Sequence, residues 1–262
     1  MISPTSCQHS DISTAWAETF LSTMESGGGV RHPAMVIVSG LERGHKPENA
    51  EIRARLDKEL SKFGENSCET VAGTIFPRSL WNPGLLNDSE VLYQRYEKAW
   101  NGIKKCPANR NGVYFRRLTA YQPKSATSEP VNQLEFISTT FRGGNHRKSA
   151  LQAAILDPTR DHTNNWQKGF PCLQQVSFTP LENNKLSVTG FYATQFQFEK
   201  AYGNYLGLYW LGKFMSKQLG LTLSQVVCTA AVLERGNPTK TQLLDLASDL
   251  REILTRTNRK TE

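Results

Sequence analysis

The hydrophobic positions of this chain change period most clearly between residues 170 and 234. Residues 173–180 are rich in β-formers, 181–184 supply turn residues, and 185–198 return with β-branched and aromatic side chains, a pattern that predicts a hairpin. From Lys200 the spacing turns helical through Tyr202, Tyr205, Leu206, Tyr209, Phe214 and Met215, and Gly220 arrives where a helix would stop. Such a helix is apolar on most faces and belongs at the centre of a fold. The run LSQVVCTAAVLE that follows reads as another strand.

Other segments fall into place around this unit. Ser13 or Thr14 can cap a first helix with Ala15, Trp16, Phe20, Leu21 and Met24 inward, broken by Gly27-Gly28-Gly29, which lacks the phosphate-loop pattern and reads as a turn. Residues 34–39 form a short apolar strand, and 48–63 a charged helix with Ile52, Leu56 and Leu60 as its inner stripe. Residues 68–76 read as a strand or the start of a buried helix, redirected by Pro77. Helices are predicted over 88–105 and over 131–141, the latter with Leu134, Phe136, Ile137 and Phe141 inward, then a strand over 149–155 and a polar loop over 157–169. An amphipathic leucine-rich helix closes the chain. The expectation is an α/β (α+β) protein with a large mixed β-sheet flanked by helices, residues 1–12 a disordered lead and 13–262 a single domain.

Composition narrows the partners. A chain of 262 residues with 38% hydrophobic content can bury a full core. A formal charge of +7 suits a phosphorylated or carboxylated ligand, or equally a solvated basic surface. No apolar run approaches the roughly 20 residues of a membrane span. Cysteines 7, 68, 106, 172 and 228 show no CxxC or Cys/His cluster, so neither a disulfide framework nor a metal site is expected, and a reducing cytoplasm is the natural setting.

Three marks occur in order: Val113-Tyr114, Pro171-Cys172 at a strand entrance, and Gly203-Asn204 at a helix start. In this the chain resembles the thymidylate synthase superfamily, which includes the pyrimidine hydroxymethylases. The resemblance spans about two thirds of the chain. It implies a thymidylate synthase-like sheet, a homodimer paired through that sheet, and Cys172 as the nucleophile that adds to C6 of a pyrimidine nucleotide or nucleoside. It makes Asn204 the group that hydrogen-bonds the ring's amide edge, with Tyr114 on a strand (112–121) also at the substrate. Arg43, beside Gly44, and the pair Arg147 and Lys148 would hold phosphate, the pair reaching across the dimer. Trp100 would stand beside the folate, methylenetetrahydrofolate, that supplies one carbon.

Several family residues are missing. No acidic residue stands between Thr70 and Asn87 to act as the general-base Glu. Ala193 and Thr194 occupy the places of the phosphate-gripping Arg-Ser pair, Phe196 that of an Asp, and Leu233 to Gly236 those of the sugar-binding His and Tyr. Leaving a phosphate unpaired in a closed site costs several kcal/mol, so Arg43, Arg78, Arg116, Arg117 or Arg147 compensates or the ligand differs. Two readings stay open: a diverged pyrimidine C5 methyl or hydroxymethyl transferase, and a non-catalytic nucleotide-binding or scaffold protein of the same fold. A Cys172, His162, Asp161 triad and a nucleic-acid surface rank below both.

Overall fold

The computed structural model describes residues 4–123, 127–165 and 169–259. The chain begins with β1 (Thr5–His9), α1 (Ile12–Glu25), β2 (Val30–Arg31), β3 (Ala34–Ser39), α2 (Ala50–Lys62), α3 (Cys68–Ile75) and α4 (Asp88–Ile103). It continues with α5 (Tyr114–Thr119), α6 (Gln133–Arg142), β4 (Gln152–Ala154) and α7 (Pro158–Asp161). The carboxyl-terminal part holds β5 (Leu173–Leu181), β6 (Lys185–Phe196), α8 (Tyr202–Leu219), β7 (Thr222–Glu234) and α9 (Leu244–Asn258). The strands form one mixed sheet in the order β1-β3-β7-β6-β5-β4, with β2 pairing β7. This is the α/β architecture expected, a mixed sheet flanked by helices.

The organising unit is β6, α8 and β7. The hairpin turns through Asn183 and Asn184, both with positive φ, which Asn tolerates better than most residues. Its two strands pair from Leu181 opposite Lys185 to Leu173 opposite Tyr192. Strands β6 and β7 then lie parallel, so the chain must cross over between them, and α8 makes that crossover. The helix stops where Gly220 takes a left-handed φ of 66°. It is buried on nearly every side because the sheet lies against one face and α3 against another. The α3 contact is close: a Cβ on Gly203 would fall 2.5 Å from the Val71 Cβ and 2.7 Å from the Cys68 carbonyl oxygen. Asn204 therefore follows a glycine at which α8 lies as close to α3 as the backbone allows.

The other face of the sheet is part-exposed among the described residues. Outward side chains alternate with core ones along each strand, and the register sets Met35, Thr229, Phe191 and Gln175 in one row across four strands. Met35 is 41% and Phe191 43% exposed.

Four expectations are corrected. Residues 5–9 are not a disordered lead but an edge strand, parallel to β3; their own composition is polar, and the burial that stabilises them comes from α1. The first helix is capped by Asp11, whose carboxylate accepts from the Thr14 N–H at 2.8 Å, while Ser13 turns inward to Tyr202. Tyr114 begins a helix, not a strand; Phe115 and Leu118, three apart, are both fully buried. Phe136 is 58% exposed, on the outer side of α6, whose buried stripe runs through Leu134, Ile137 and Ser138.

Candidate functional site

Cys172 lies immediately before β5, where the chain enters the sheet, and its carbonyl accepts from the Ala193 N–H at 2.9 Å. The thiol is half-buried and donates to the Gly169 carbonyl at 3.5 Å. Beside it stands Tyr114, the first residue of α5, whose hydroxyl accepts from the Leu173 N–H at 3.5 Å. The Tyr114 ring stacks on Phe170 with centroids 5.1 Å apart. Thus the strand entrance and the start of α5 bring two of the sequence-predicted residues together.

Burial raises the Cys172 thiol pKa above its ordinary value, and the Lys200 ammonium and the Tyr114 hydroxyl partly offset this by favouring the thiolate. Burial also raises the Tyr114 phenol, as does the nearby Cys172 sulfur. The site therefore holds a neutral thiol with a cation and a hydroxyl already positioned to favour its ionised form.

Lys200 and Asn204 are about one helical turn apart at the entrance of α8, a spacing that puts side chains on the same side. Lys200 belongs to a π-helical turn over residues 197–201, an irregularity often found at functional positions. Asn204 is only 5% exposed and has no hydrogen-bond partner among the described residues. The Tyr192 hydroxyl is likewise buried without a partner, and burial drives its pKa far up, with the Cys228, Tyr114 and Cys172 groups adding to the effect. An unpaired buried polar group is costly and calls for an explanation. Tyr192, opposite Leu173 beside the thiol, together with the Tyr114 hydroxyl and the Lys200 charge makes this the candidate site.

The remaining predicted residues lie elsewhere. Arg43, Arg147 and Lys148 are exposed and form no ion pair among the described residues. Trp100 packs on Tyr96, and the Arg116 guanidinium, paired with Glu97, sits 5.0 Å over its ring. Arg78 stacks on Trp81 and Trp210. Arg117 is buried in a bidentate pair with Asp161, at 2.8 and 2.9 Å, so Asp161 serves Arg117 rather than a triad with Cys172. Lys200 and Tyr192 were not read from sequence. The first could have been found from its spacing to Asn204, the second from the hairpin register that sets it opposite Leu173.

A second cluster also escaped the cysteine count. Cys7, His9 and Glu18 bring one sulfur, one nitrogen and one oxygen within 4.8 Å of one another. Against the lowering effect of burial, hydrogen bonds with Cys7 and Glu18 hold the His9 pKa up to about 9. Glu199 is a third notable group: 3% exposed on the π-helical turn, it accepts from the Asn237 N–H at 2.6 Å, and burial raises its carboxyl pKa.

Compared with family models and with curated proteins, the chain matches none. Among the described residues no helix is long and apolar enough to cross a membrane.

Proposed function

We propose that this protein is a diverged thymidylate synthase-like protein that binds a pyrimidine nucleotide or nucleoside and transfers one carbon to C5 through Cys172. The observation that carries the reading is the half-buried thiol beside the Tyr114 hydroxyl and within reach of the Lys200 charge, with the unpartnered Asn204 one turn beyond. A pyrimidine ring edge offers an amide N–H and a carbonyl, the complement that a carboxamide can satisfy with both ends.

In this mechanism Asn204 orients the ring, the Cys172 thiol loses its proton to solvent before the ring closes over it, and Lys200 and Tyr114 hold the thiolate against the desolvation that the ring adds. The Cys172 sulfur adds to C6, and the electron pair of the C5–C6 double bond moves toward C5 and its neighbouring carbonyl, making C5 the nucleophile. A reduced folate would supply the one carbon. The described residues do not gather a set that grips it, with Trp100 occupied by Arg116 and Phe196 in place of the family Asp. The part-exposed sheet face bearing Met35 and Phe191 supports a homodimer, which would also decide whether Arg147 and Lys148 reach a neighbouring site.

The neutral thiol and the absent general base favour one alternative, a binding protein of the same fold without turnover. Thermal shift with nucleosides, nucleotides and folates separates the readings when paired with a turnover assay, because selective binding raises the melting temperature. The transferase reading expects turnover that Cys172→Ala abolishes while leaving the fold intact; turnover retained in that variant eliminates it. The binding reading expects a pyrimidine-specific shift lost in Asn204→Ala, without turnover. Failure of every pyrimidine to shift the protein overturns both.

A further inference from the structure

Strand β1 is at the edge of the sheet, and its residues alternate between two environments: Ser6, Gln8 and Ser10 are exposed, whereas Thr5, Cys7 and His9 turn toward α1. Cys7 and His9 are two apart and so project from the same side of the strand. Glu18, in the middle of α1, meets them from the helix, and its carboxylate lies 2.7 Å from His9 Nε2. The sulfur, the imidazole nitrogen and the carboxylate oxygen all fall within 4.8 Å of one another.

We propose that Cys7, His9 and Glu18 form a binding site for a divalent transition-metal ion of the zinc class. The donor set is mixed sulfur, nitrogen and oxygen, which suits borderline ions such as zinc and does not suit magnesium or calcium, whose ligands are oxygens. Tetrahedral zinc would hold sulfur and nitrogen about 3.5 Å apart and nitrogen and oxygen about 3.3 Å apart. The His9 to Glu18 contact, now 2.7 Å, opens by about 0.6 Å while the sulfur draws in from within 4.8 Å, movements available to a Glu18 side chain that is 42% exposed. Binding takes Cys7 as a thiolate and His9 through a free ring nitrogen, the displaced protons leaving to solvent, so no redox partner is needed. Three protein ligands leave a fourth position for water or a small ligand.

The location gives the ion a physical role independent of the Cys172 site. Among the described residues strand β1 pairs with β3 alone, and it contributes few apolar side chains. A metal bridging Cys7 and His9 to Glu18 would clip this edge strand to α1.

The test is titration of the intact metal-free protein with Co2+ and with Zn2+, followed by absorption and by thermal shift. One equivalent of Co2+ is expected to give a thiolate-to-metal charge-transfer band, and Zn2+ to displace it and raise the melting temperature. Cys7→Ser abolishes the band, whereas Cys172→Ala and Cys106→Ser retain it. His9→Gln weakens binding by more than the about 10–100-fold that accompanies loss of a supporting outer-shell partner. Glu18→Gln, on a part-exposed helical position where misfolding is not at issue, weakens it by about 10-fold or more. Absence of stoichiometric binding in the wild type, binding in Cys7→Ser equal to wild type, or a band that follows Cys106 or Cys172 overturns the site.

Discussion

Two polar neighbourhoods meet at Phe170, and they treat their buried groups in opposite ways. The Arg117 guanidinium sits 5.2 Å over the Phe170 ring and donates to both oxygens of Asp161 and to the Ile155 carbonyl, while Asp161 also accepts from the Asp157 N–H. Tyr114 stacks on the same Phe170, but on that side the Tyr192 hydroxyl is buried with no partner among the described residues. A completed network in a low dielectric makes a rigid wall. A group left unanswered beside it marks where that wall faces something else. The contrast explains why an arginine near the nucleophile, a natural candidate for phosphate from sequence, is committed to structure.

Breaking the completed side should have the largest effect. Arg117→Ala strands the Asp161 carboxylate, which is 2% exposed, and is expected to cost about 3–5 kcal/mol in chemical denaturation. The double replacement Arg117→Met with Asp161→Leu should recover part of that loss, since it leaves no charge behind but takes a partner from the Ile155 carbonyl and the Asp157 N–H. A loss under about 1 kcal/mol for Arg117→Ala would mean that water already satisfies the pair, and the contrast would fail.

The unanswered side predicts the opposite sign. Tyr192→Phe removes a buried hydroxyl that has no partner, so the free protein should be unchanged or more stable by about 1 kcal/mol. A loss of more than about 1 kcal/mol would show that the hydroxyl is hydrogen-bonded in solution. Measured together, Arg117→Ala and Tyr192→Phe ask whether the division at Phe170 is real.

How much of this was legible follows the same division. The hairpin, the crossover helix and the last strand are long and apolar, so period and turn residues place them to within a few positions, and Gly220 marks the helix end. The edge strand over Thr5–His9 was read as disordered because its stabilising partners are α1 and β3, not its own residues. The segment at Tyr114 is six residues long, too short for its period to choose between strand and helix. Cys172, Tyr114 and Asn204 were chosen from resemblance, and the fold gives the first two a shared location. Lys200 was missed because a charged residue at a helix entrance reads as a solvated end. The Cys7, His9 and Glu18 cluster was missed because a Cys-x-His pair on a strand gains its third member only in the fold.

The smallest effect is the most direct probe of Cys172. Burial raises its folded-state pKa, so the thiol is the favoured form in the native protein and the thiolate is disfavoured. The sign for stability follows: this contribution is present below the unfolded thiol pKa, about 8.5, and is lost as pH rises through the higher folded value. Lys200 opposes the burial effect, so Lys200→Met should move the alkylation profile of Cys172, read by peptide mapping after iodoacetamide, to still higher pH. Tyr114→Phe should move it in the same direction by removing a hydroxyl that favours the thiolate. The two groups act on one sulfur, so the double variant should exceed either single one. A pyrimidine ligand that displaces water should slow alkylation at every pH, both by desolvating the thiolate and by occupying the face of the sulfur. If Lys200→Met leaves the profile in place, the ammonium does not reach the thiol, and the unpaired side of Phe170 loses the charge that gives its chemistry a direction.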